Sequence, residues 1–219
     1  MSRLLKHSED PNEVLNYIST QPLDPKRFRN KADCLVGHGI RLFHRNGVNG
    51  TGLNELLEAA QMGKSQFYHY FNNKEDFVCE VVRREMDIFL RRIAPSCRTL
   101  KSLDEFDAWF EPYLALARLP GNLGCPVGAI ASEMSPSSEK VRLAASESLQ
   151  RWINAIAEGL MTWQAHESLR SDFSPSQAAQ YLACSIQGAL LMCRSFRSLD
   201  PILQAREQLR NYLAGFRSS

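Results

Sequence analysis

Residues 50–74 read GTGLNELLEAAQMGKSQFYHYFNNK, from Gly50 to Lys74. Leu53, Leu56, Leu57 and Ala60 fall at helical spacing, Gln61, Met62 and Gly63 interrupt, and Phe67, Tyr70 and Phe71 resume the same period. The pattern predicts two helices joined by a tight turn and crossing steeply over a small core of Leu56, Ala60, Met62 and Phe67. The second helix then keeps a free face carrying Lys64, Ser65, Gln66, Tyr68 and His69. That face holds no carboxylate and is rich in hydrogen-bond donors, which suits phosphates and base edges.

In order and spacing, Thr51, Leu53, Leu56, Ala59, Ala60, Met62, Phe67, the run Tyr68-His69-Tyr70-Phe71, and Lys74-Glu75 resemble the DNA-binding signature of TetR-type transcriptional regulators. The resemblance is specific over residues 30–80, and beyond them only a general helical character supports it. It implies that Thr51 and Lys74 hold phosphates and that Tyr68 reaches a phosphate through its hydroxyl. Lys64, Ser65, Gln66 and His69 would face the major groove, and Tyr70 stays open between contact and core. Three positions depart from the family: Gly52 and Gly63 stand where a capping Ser or Thr is common, and Gln61 replaces the usual turn glycine.

The 219 residues, 44% hydrophobic and 23% charged, have the composition of an ordinary soluble protein, and a net charge of +2 does not by itself suggest nucleic acid. Its distribution does. Residues 25–74 carry eight Lys or Arg against three Asp or Glu, whereas residues 75–219 carry sixteen against seventeen. No apolar run approaches the roughly 20 residues that span a bilayer, and the N-terminus lacks a signal-peptide core, so a cytoplasmic location is expected. The six cysteines show neither metal spacing nor scaffold density. His38 and His44 lie six residues apart, off the spacing of a helical metal pair, so neither metal nor cofactor is expected.

Taken in order, residues 1–29 form an extension with a short helix from Pro11 to Thr20. A basic stretch follows, Lys26, Arg27 and Arg29, which either enters a neighbouring minor groove or only solubilises. Residues 30–75 form the helix-turn-helix unit, its first helix built on Ala32, Leu35, Val36, Ile40 and Phe43 and ended by Gly47. Residues 76–219 form the larger part. There a helix starts after Asn72 or Asn73 and is expected to stop near Ile93, ahead of Pro95. Further helices are expected at 102–118, 126–134, 137–167, 175–197 and 201–216. No alternating β-branched run of strand length appears. The fold expected is all-α: a small three-helix DNA-binding domain followed by a larger helical ligand-binding and dimerisation domain.

Between Ala178 and Phe196 apolar residues occupy nearly every angle, so this helix needs cover on most sides. Ala179, Ala183 and Gly188 allow close helix approach, and Leu209 and Leu213 belong to the next helix. The family resemblance implies that these last two helices form a homodimer interface. Phe89, Trp109, Tyr113, Cys125, Trp152 and Met192 could line a pocket for a small, largely apolar effector. Cys125 precedes a proline at a helix start, where it is either a thiol sensor of oxidants or electrophiles or a small core residue. Phosphate loops, nucleophile elbows and zinc-protease motifs are missing, so an enzyme is not expected. The expectation is a repressor bound to a double-stranded DNA operator and released by its effector. The rival is a helical interaction module whose helix-turn-helix binds no DNA.

Overall fold

The computed structural model describes residues 30–118, 124–166 and 169–217. These form nine helices: α1 Lys31–Asn46, α2 Leu53–Ala59, α3 Lys64–Tyr70, α4 Lys74–Thr99, α5 Leu103–Ala117, α6 Pro126–Met134, α7 Glu139–Ala165, α8 Pro175–Phe196 and α9 Asp200–Ala214. An isolated bridge between Leu169 and Arg217 is the one extended pairing among the described residues. The expected N-terminal helix and basic arm lie outside them.

The helix starts follow their caps. Asn30, Asn73, Ser102, Ser138 and Ser174 each accept a hydrogen bond from the backbone N–H three residues on. Asn73, not Asn72, caps α4, and Asn72 instead donates to Asp76 at 2.8 Å. One expectation fails: α4 does not stop at Pro95 but continues to Thr99. Proline removes one N–H and frees the carbonyl of Arg91, yet Ile93, Cys97 and Leu100 are buried around it and hold the helical path.

α4 packs along α7, α7 on α8, α8 on α9, and α9 on α5, which closes a bundle. Trp109, Phe106, Phe110 and Tyr113 fill its centre, all buried. At the other end of α4 sits the unit made by α1, α2 and α3. Gly39 lets α1 lie directly on Phe77, where a Cβ would stand 2.4 Å from the ring. A buried ion pair, Asp33 with Arg84 at 2.5 Å, and a buried hydrogen bond between His44 Nε2 and Glu85 Oε1 at 2.6 Å add to that seam.

Candidate functional site

The seven-residue helix α3 is far below the length at which isolated helices persist in water, so tertiary packing must hold it. Phe67 supplies that packing, with its ring centroid 5.5 Å from Phe71 and 5.9 Å from Phe77. Phe43 meets Phe77 at 5.9 Å. Full burial of a phenylalanine is worth about 1.5–3 kcal/mol. The opposite face is free: Lys64, Ser65 and His69 are exposed, and Tyr68 is 55% exposed. Tyr70 is exposed too, its ring edge-on to His69, so it belongs to the surface and not to the core.

Gly52, Gly63 and Gln61, which depart from the family pattern, have local consequences. Gly52 and Gly63 give no side-chain cap, and at α3 the Gln66 Oε1 accepts the Gly63 N–H at 3.2 Å. The Gln66 side chain is therefore engaged with the start of its own helix. Gln61 takes φ 51°, the left-handed conformation that glycine adopts without cost.

Two residues expected to hold phosphates are turned inward. Thr51 is 1% exposed and its hydroxyl donates to the Gly47 carbonyl at 2.7 Å. The Lys74 ammonium donates to the carbonyls of Val48 and Thr51, 2.7 Å each, and burial lowers its pKa, partly offset by Glu133. Both tie the turn ahead of α2 through its main-chain carbonyls. The same turn is gripped from outside its unit: Glu133 of α6 accepts from the backbone N–H of Val48 at 2.9 Å and of Asn49 at 2.5 Å.

A second feature lies where α1, α4, α5, α6, α7 and α8 converge, a narrow, mostly apolar cavity of about 40 Å³. Phe89, Tyr113, Cys125 and Trp152 line it, as expected from the sequence. Trp109 does not; it packs behind Tyr113, its indole N–H donating to Cys97 Sγ at 3.3 Å. Met192 does not either, since it projects from the outer side of α8 into a shallow groove against α9. The sequence reading missed His44, Glu85, Arg92 and Gln187, which all face the cavity. Glu85 had a signal: it is a lone carboxylate on the α4 face made by Val81, Val82, Met86 and Phe89.

Inside, the polar groups mostly satisfy one another. Trp152 donates to the Tyr113 hydroxyl at 2.9 Å, and Gln187 donates to Cys125 Sγ at 3.2 Å. Cys125 caps α6, accepting from the Gly128 N–H at 3.3 Å. Burial nevertheless pushes its thiol pKa up, with the Gln187 and Gly128 hydrogen bonds opposing, and this disfavours a resting thiolate.

The small and apolar residues expected at a dimer seam divide. Ala179, Ala183, Leu209 and Leu213 are buried within their own bundle, where α8 meets its neighbours. Gly188 is exposed with open space above it. Around it lie Tyr181, Cys184, Leu191, Met192 and Phe196, with Leu191 65% and Phe196 63% exposed. The uncovered face of α8 is thus an apolar stripe that includes Gly188 but is offset from Ala179 and Ala183.

Comparison with known proteins agrees with this layout. Residues 35–81 match the model of bacterial regulatory proteins of the tetR family. Residues 116–208 match that of the LmrA/YxaF-like transcriptional regulator C-terminal domain. The HTH-type transcriptional repressor DhaR of Mycobacterium sp. (strain GP1) is 28% identical, covering 78% of this chain and 85% of its own. The HTH-type transcriptional repressor NemR of Escherichia coli (strain K12) is 27% identical over 82% of this chain and 92% of its own. The crystal structure of reduced E. coli NemR superposes with a TM-score of 0.74 at 26% identity, covering 87% of this chain and 98% of that one. The regulatory protein TetR from Rhodobacter sphaeroides gives 0.72 at 25% identity, covering 81% and 96%. With a helix-turn-helix unit and a helical C-terminal unit each matching its model, the chain belongs to the TetR family of transcriptional regulators.

Proposed function

We propose that this protein is a homodimeric repressor that binds an operator through α3 and leaves it when a small, largely apolar molecule enters the cavity. The observation that carries the reading is the outward face of α3, where Lys64, Ser65, Tyr68 and His69 are exposed and no carboxylate stands among them. Residues 30–75 serve as the reader and residues 76–219 as the effector-binding and dimerising part. Gln66 reads a base once released from Gly63, and Tyr70 adds a surface contact. Thr51 and Lys74 shape the turn. The apolar stripe of α8 pairs with its copy and sets two readers about one helical turn of DNA apart.

The cavity and the reader share parts, which supports the release mechanism. His44 belongs to α1 of the reader yet lines the cavity, and α6 touches the cavity at Cys125 and the reader's turn at Glu133. An occupant that favours one arrangement of α4 and α6 shifts the population toward readers that no longer match both half-sites. The test is a gel-shift of the full chain on DNA from its own promoter region at several salt concentrations. Binding with a steep salt dependence, at a defined footprint, is expected. Salt-independent or absent binding would leave only the interaction-module reading.

A further inference from the structure

The cavity contains one buried polar atom that nothing among the described residues satisfies. Glu85 is 6% exposed; its Oε1 contacts His44 Nε2 at 2.6 Å, while its Oε2 is buried with no hydrogen-bond partner among the described residues. Of the neighbouring donors, the Trp152 indole N–H is taken by Tyr113 and one Gln187 amide N–H by Cys125. Buried acceptors without a donor are rare in folded proteins, and one on a ligand cavity marks where an occupant's donor goes.

From this we infer that the cavity selects a neutral, apolar molecule carrying a hydroxyl, whose O–H donates to Glu85 Oε2. The inference rests on the proposed effector role of the cavity. The body of the occupant faces Phe89, Trp152 and Leu190, so aromatic or aliphatic bulk is accepted there. A cation is opposed by the Arg92 guanidinium, which faces the same space. An anion would be drawn to Arg92, two turns from Glu85 along α4, but would leave Oε2 unpaired and facing like charge. The contact also reaches the reader, because the carboxylate that takes the hydroxyl is the one that holds His44 of α1.

The experiment is calorimetric titration of the full chain, free of DNA, with three probes of nearly one shape: p-cresol, 4-methylanisole and p-toluate. p-Cresol is expected to bind at least about tenfold more tightly than 4-methylanisole, the factor a hydrogen bond to a charged acceptor supplies. The preference should shrink to about threefold in Glu85→Gln, whose amide oxygen is a weaker acceptor, and vanish in Glu85→Leu. Equal binding of the first two probes, tightest binding of p-toluate, no binding of any probe, or a preference that survives unchanged in Glu85→Gln would each overturn the inference. Because DNA is absent, a failure here is distinct from a failure of operator binding, which the gel-shift reads.

Discussion

Helices α3 and α8 each leave one face uncovered, and the two faces are chemical opposites. On α3 the free side offers a lysine, a serine, a tyrosine and a histidine to solvent. On α8 it offers Tyr181, Leu191, Met192 and Phe196. Water solvates the first at no cost, so that face can wait for DNA indefinitely. The second exposes apolar area that water disfavours, and a monomer seldom carries such a stripe unless something covers it. In the proposed function the apolar face takes a lasting partner, a copy of the chain, and the polar face a reversible, salt-sensitive ligand.

The largest effect should come from attacking the apolar face. Leu191→Arg places a charge in the centre of the stripe and should turn dimers into monomers, weakening operator binding by about thirtyfold or more. Sedimentation velocity paired with operator titration measures both, and a variant that stays dimeric would move the interface elsewhere. A smaller effect separates the two lysines of the reader. Lys64→Ala should weaken binding to all DNA sequences and lower the salt slope by about 1. Lys74→Met should reduce thermal stability and leave the slope alone, since its ammonium is spent on Val48 and Thr51. Equal slope changes in the two variants would return Lys74 to the phosphates. The smallest effect is conformational. Gln61→Gly relieves the left-handed strain at the turn and should add about 0.5–1 kcal/mol of stability, read from the denaturant midpoint, with operator affinity unchanged.

The reader was legible because its signal is local: apolar spacing, a short turn and a run of donors lie within one stretch of chain. The start of a helix after Asn72 or Asn73 was legible for the same reason. What the sequence could not supply is which way a helix faces when both sides are apolar. Along α8, Ala179 and Ala183 share a period with each other as Cys184 and Leu191 do, and periodicity fixes angular sets without saying which set meets the bundle. Trp109 and Tyr113 likewise sit one turn apart on α5, yet only Tyr113 reaches the cavity. Pro95 misled because a helix boundary was inferred from one residue's missing donor, whereas burial of its neighbours decided the outcome. Glu85 and Glu133 act across 41 and 85 residues of sequence, and no short window contains both partners.

The grip of Glu133 on the reader's turn is made with main-chain N–H groups, at Val48 and Asn49, and not with side chains. Every amino acid but proline brings the same donor to those two positions. Divergence of the reader toward a new operator can therefore proceed by ordinary substitution without loosening this attachment, and the connection is inherited with the backbone. The vulnerable end is the single carboxylate on α6, so drift in this joint is tolerated on one side and forbidden on the other.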